Sequence, residues 1–249
     1  MVAGECAMNS VAMRARSRDL LELAVGYGLI LAVLWTPRPW QRMVYWVPVA
    51  WIAVTSSLSF AGWAAMGWRK TNLLRSLWIV GAALGLAVSA AFVAKRMGTL
   101  HLPDGPWSFF KTYVGYAIWS FVQQFLLLDF FLGRLLRVVN GKATAVCIAA
   151  GMFALAHLPN PVLASLTLLW GTAACLLFLR YRNLYPLGLA HAIFGICVAV
   201  TIPGYVTHNM RVGLGYLRYH PRGHRQRSHS DQMVSTRVWV SADAATRRS

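Results

Sequence analysis

The sequence predicts an all-α polytopic membrane protein, a bundle of about seven transmembrane helices, or eight if the span count is even. Two observations carry this. Of the 249 residues, 57% are hydrophobic and only 12% are charged, against about a quarter charged in soluble domains. The apolar residues also fall in runs near the ~20 residues that cross a bilayer as helix. That length accommodates one membrane domain over 1–206, followed by a basic tail over 207–249.

Residues 1–19 are polar and carry Arg14, Arg16 and Arg18. The apolar run Leu20–Trp35 follows and reads as an uncleaved first span, because no small-residue cleavage site precedes Pro37. Asp19 and Glu22 stand at its edge, where they are expected to reach water. Pro37 and Pro39 then stop the helix. Tyr45–Met66 is the second expected span, with tryptophans suited to the interface. Leu77–Ala94 is the third, with Gly81, Gly85 and Ser89 four apart, a spacing that permits close helix packing.

Trp107–Leu132 is the fourth span and contains Gln123 and Gln124. Arg134, Arg137 and Lys142 follow on a short amphipathic stretch. Ala143–Leu158 is a short fifth span, ended by Pro159 and Pro161. Val162–Leu179 and Tyr185–Val206 complete the count. Residues 207–249 carry eight arginines and few apolar residues in series, and read as a solvated or lipid-bound tail. More Lys and Arg fall on the inside loops when the N-terminus is cytoplasmic. Seven spans would then leave the basic tail outside, so the parity stays open.

Several chemistries are excluded or disfavoured. The formal net charge is +17, but the basic residues are scattered between apolar spans, which suits anionic lipid headgroups better than nucleic acid. Of the four cysteines, Cys147, Cys175 and Cys197 lie in apolar segments with no C-x-x-C spacing and read as small buried hydrophobes. There is no H-E-x-x-H, P-loop or G-x-G-x-x-G. Two membrane histidines, His157 and His191, are too few for a zinc site. No metal or cofactor is expected. A transporter is the weaker alternative, since no inverted repeat is visible.

Polar groups at membrane depth are costly, and they mark sites by default. Gln123-Gln124, then Gly151-Met-Phe-Ala-Leu-Ala-His157, then Leu184-Tyr-Pro-Leu-Gly-Leu-Ala-His191 are such groups, in order on the fourth, fifth and seventh apolar runs. In order and spacing they resemble the three motifs of the CPBP family of intramembrane proteases. This is the CAAX-protease/Abi family, which includes type II CAAX prenyl endopeptidases and bacteriocin self-immunity proteins. The likeness covers roughly 107–206. The family pattern is Glu-Glu-x-x-x-Arg, then Phe-x-x-x-His, then His-x-x-x-Asn or Asp. Here Phe153, His157 and His191 match it. Gln123 and Gln124 stand for the glutamates, Leu128 for the arginine and Gly195 for the asparagine.

The resemblance implies a multi-pass protein of the bacterial cytoplasmic membrane. It also implies a hydrolase activity: an endopeptidase acting on a prenylated or other membrane-associated peptide. It places His157, His191, Gln123 and Gln124 in the catalytic positions of one shared cavity, with Phe153 and Gly195 beside the substrate. In the family's mechanism the first glutamate activates water, and the second histidine and asparagine stabilise the oxyanion. General base catalysis is worth ~10²–10⁴-fold. Glutamine cannot take that proton. Asp129 is no replacement, because on a regular helix it lies about 240° around from Gln123 and about 140° from Gln124. It is expected instead to pair with Arg134 or a backbone group. His157 could act as base. The alternative is a pseudo-protease that binds a lipidated or membrane peptide as a self-immunity or maturation factor.

Overall fold

The structure is a computed structural model that describes residues 2–220. The described residues are helical with no strand: α1 (Val2–Trp35), α2 (Arg38–Val44), α3 (Trp46–Leu58), α4 (Leu73–Arg96), α5 (Gly105–Phe125), α6 (Leu132–Val138), α7 (Lys142–Leu155), α8 (Pro161–Tyr181), α9 (Leu184–Thr201), and two single turns, α10 (Gly204–Thr207) and α11 (Leu214–Leu217). A π-helical turn, Leu126–Phe131, joins α5 to α6 without a break.

Among the described residues, four helices are long and apolar enough to span a bilayer: Leu73–Arg96, Gly105–Val138, Pro161–Tyr181 and Leu184–Thr201. The expected count of seven is not confirmed, and the reasons are local. α3 has 13 residues, about 20 Å of helix, short of the ~30 Å hydrocarbon core. The hydroxyls of Thr55 and Ser59 donate back to the carbonyls of Trp51 and Thr55, and the chain then turns at Gly62 and Gly67, both with positive φ. α7 has 14 residues and is closed by the turn before Pro161. In α1 the charges run on to Glu22, which leaves a short apolar stretch before Trp35.

Core packing is centred on the π turn and its neighbours. Leu127, Leu128, Phe130 and Leu132 are buried against Ala145 and Ala149 of α7, Ala174 and Phe178 of α8, and Leu187 and Ala190 of α9. Small residues let α7 and α8 approach. A Cβ on Gly171 would stand 3.2 Å from the Phe153 ring and 3.5 Å from the Ala150 Cα. The small-residue stripe expected to pack α4 does not do so. Gly81 and Gly85 face open space and Ser89 is exposed, while Ile79, Ala83 and Ala94 carry the buried face.

Asp19 and Glu22 do not reach water. They are buried, and they pair with the arginines of the short amphipathic stretch, on α6. Arg137 Nε and Nη2 donate to the two Asp19 oxygens at 2.7 and 2.9 Å, and Arg134 Nε donates to Glu22 Oε2 at 2.8 Å. Both pairs are three residues apart on their helices, so each presents two charges on one face. Arg134 is therefore committed to Glu22, and the expected Asp129–Arg134 pair is not formed.

Two asparagines perform the same double task. Asn160 Oδ1 caps α8 by accepting from Leu163 N, and its amide donates to the carbonyls of Thr207 and Arg211. Asn183 caps α9 through Tyr185 N and donates to the carbonyls of Arg69 and Thr71. Gly213 N also donates to Leu158 O at 2.8 Å. Residues 204–217, most of them in the stretch expected to be tail, are thus folded onto the body. The rest of that stretch, 221–249, lies outside the described residues. Asn160→Ala removes a cap worth ~1 kcal/mol and two further bonds of ~1 kcal/mol each. It should lower the melting temperature in detergent and expose residues 204–217 to hydrogen exchange, with 62–72 unaffected.

Candidate functional site

Gln123 and Gln124 lie on the last turn of α5. Adjacent helical residues point ~100° apart, so the two amides cannot enter the same space. Gln124 is wholly buried and its Nε2 lies 2.6 Å from His191 Nδ1. A carboxamide nitrogen only donates. Nδ1 therefore accepts, and the neutral ring carries its proton on Nε2. Gln124 Oε1 finds no donor among the described residues.

His157 follows α7, and its Nδ1 sits 2.7 Å from the Phe153 carbonyl oxygen. A carbonyl only accepts, so Nδ1 holds the proton and Nε2 is left as an acceptor. The Phe153 ring stands between the histidines, with centroids 4.9 Å from His157 and 5.8 Å from His191. Trp170 closes the far side of His191 at 6.4 Å.

A cavity of about 830 Å³ lies between α1, α3, α5 and α7, near the upper end of the usual ~300–1,000 Å³ for ligand sites. Gln123, Phe153 and His157 line it. Gln124, His191 and Gly195 do not. The expectation of one cavity shared by both amides and both histidines is corrected on this point. The site is split by the Phe153 ring into an open half (Gln123, His157) and a sealed half (Gln124, His191). Among the described residues no Asp or Glu lines the cavity, and Arg42 is the one Lys or Arg that does.

The missing motif residues have structural counterparts. Leu128 is fully buried in the apolar core. At Gly195, any Cβ would overlap the Tyr116 hydroxyl and ring. Tyr116 fills the room a longer residue would need. It was not singled out from sequence, although it lies seven residues before Gln123, two turns along the same face. The ion pairs were missed as well, but the matched spacings Asp19-x-x-Glu22 and Arg134-x-x-Arg137 hinted at them. Asp129 neither lines the cavity nor belongs to the Gln124–His191 pair. Among the described residues, no three of His, Cys, Asp or Glu gather closely enough to hold a metal.

No curated protein and no solved structure matches the chain. Residues 105–197, which hold all three motif segments and the hydrogen-bonded Gln124–His191 pair, match the family described as type II CAAX prenyl endopeptidase Rce1-like, so this part of the chain is similar to that family, and the four long apolar helices suit an integral membrane protein.

Proposed function

We propose that this protein binds a lipidated or membrane-associated peptide in the cavity without hydrolysing it. The carrying observation is the Gln124–His191 hydrogen bond, sealed behind Phe153 and away from the cavity. Amide hydrolysis requires a base beside the attacking water and donors at the developing oxyanion, about 3 Å from the reacting atom. Among the described residues the cavity lining offers no carboxylate, and the second histidine is turned to an amide. What remains open is suited to recognition. The Gln123 amide can donate to and accept from a peptide bond, and His157 Nε2 can accept from a peptide N–H. The apolar walls suit a lipid chain. Such a binder, set in the bacterial cytoplasmic membrane, would serve as a self-immunity or maturation factor.

The test is a prenylated peptide library offered to the purified full chain in detergent, beside His157→Ala. The expected result is peptide retained by the wild type, weaker retention by the variant, and turnover by neither. Turnover by the wild type that disappears in His157→Ala would overturn the proposal. It would make His157 Nε2 the base of a working hydrolase.

A further inference from the structure

The cavity has a direction. At one end Gln41 Nε2 donates to Val33 O, and a Cβ on Gly213, whose N–H bonds Leu158 O, would meet Leu34. That end therefore gathers the α1 terminus, α2 and the residues beside His157. Gln123 belongs there too. It lies 11 residues before Arg134, and Val33 lies 11 after Glu22, Arg134's partner, so both stand ~16 Å from the ion pair. At the other end Tyr27 donates to Met152 O and its ring meets the edge of Phe131 at 5.9 Å. Between Tyr27 and Phe131 the lining is Ile30, Ile52, Leu126 and Leu127. Polar lining gathers at one end and apolar lining fills the other.

Among the described residues, the polar end carries a cation and no anion. Arg42 lines it. Around it Trp40, Met43 and Trp46 are 64–71% exposed, a collar of the kind that sits at the membrane–water interface. A bilayer lipid reaches such a mouth without leaving its leaflet.

We propose that the cavity seats an acidic bilayer phospholipid, its phosphate at Arg42 and one acyl chain running between α1, α3 and α5 toward Phe131. The seated lipid is the resident that a lipidated peptide must displace. The inference rests on the cavity alone and does not require the peptide-binding reading.

The experiment measures lipid bound per chain by delipidated full-length protein in detergent, titrated with phosphatidylglycerol or phosphatidylcholine. One basic side chain near a headgroup is worth about fivefold in affinity, so phosphatidylglycerol should be preferred by about that factor. Arg42→Gln should reduce its binding to the phosphatidylcholine level. Ile52→Trp, which fills the apolar end, should weaken both lipids. Val49→Trp on the same wall replaces it if Ile52→Trp does not fold. Equal binding of the two lipids by wild type, a preference that survives Arg42→Gln, or binding indifferent to the filling variant would each overturn the inference. Phosphatidylglycerol binding without peptide binding would sink the peptide reading alone. Peptide binding without lipid preference would sink this one alone.

Discussion

Glu22→Leu should destabilise the protein by about 3–5 kcal/mol, because it leaves the Arg134 guanidinium buried without its counter-charge. Arg134 is 3% exposed and Glu22 is 5% exposed. Arg134 keeps its bond to Phe130 O at 3.2 Å and its place 4.0 Å over the Phe130 ring. Neither contact neutralises a charge, and Nη2 has no partner among the described residues even in the intact pair. Replacing both members, Glu22→Leu with Arg134→Leu, should recover most of the loss, since a buried pair exchanged for apolar residues is often neutral or better. Thermal unfolding in detergent of the two single variants and the double variant closes the cycle. A double variant no better than the worse single variant would show that the pair is not a unit. The neighbouring Asp19–Arg137 pair makes an internal control. The Arg137 side chain is 53% exposed, so water can solvate it once its partner is removed, and Asp19→Leu should cost less than Glu22→Leu.

Gly195→Asn, the substitution that would restore the third motif, should cost about 3 kcal/mol or prevent folding. Overpacking a filled interior usually costs ~1–3 kcal/mol, and here the overlap involves both the hydroxyl and ring carbons of Tyr116. Tyr116→Phe removes only the oxygen and should not relieve it. Tyr116→Ala opens the space, so Gly195→Asn/Tyr116→Ala should unfold at a higher temperature than Gly195→Asn alone. A favourable coupling near the upper end of the usual ~0.5–3 kcal/mol is expected for residues in such contact. Wild-type stability in Gly195→Asn alone would refute the packing account. The same reasoning says that reinstating glutamates at Gln123 and Gln124 cannot by itself rebuild the family constellation.

The sequence shows some parts of this molecule plainly and hides others for physical reasons. The starts of α8 and α9 are legible because Asn160-Pro161 and Asn183-Leu-Tyr-Pro186 combine a cap with a proline in the first turn. His157 and His191 stand out because polar groups in apolar runs are rare. The stop of α3 is hidden, because Thr55, Ser56 and Ser57 are neutral in hydropathy and only their hydrogen bonding and the glycines after them end the helix. The two ion pairs are hidden because 112 and 118 residues separate the partners, and charge beside an apolar run ordinarily means a surface. The division of the candidate site is partly legible. Two neighbours on a helix cannot face one pocket, but which of them faces it depends on packing against α7 and α9.

The π turn at Leu126–Phe131 has a consequence for how one helix serves two masters. It inserts an extra residue into the helical count, so everything after Phe131 is rotated by about 100° relative to a regular continuation of α5. Upstream of it, Gln124 is aimed at His191 on α9. Downstream, Arg134 and Arg137 are aimed at Glu22 and Asp19 on α1. With uniform winding through Leu126–Phe131, the arginines would swing off the carboxylates while the amide stayed on its imidazole. The turn therefore acts as a phase shifter. It lets the wall of the cavity and the anchor of α1 be set at independent bearings on a single unbroken rod.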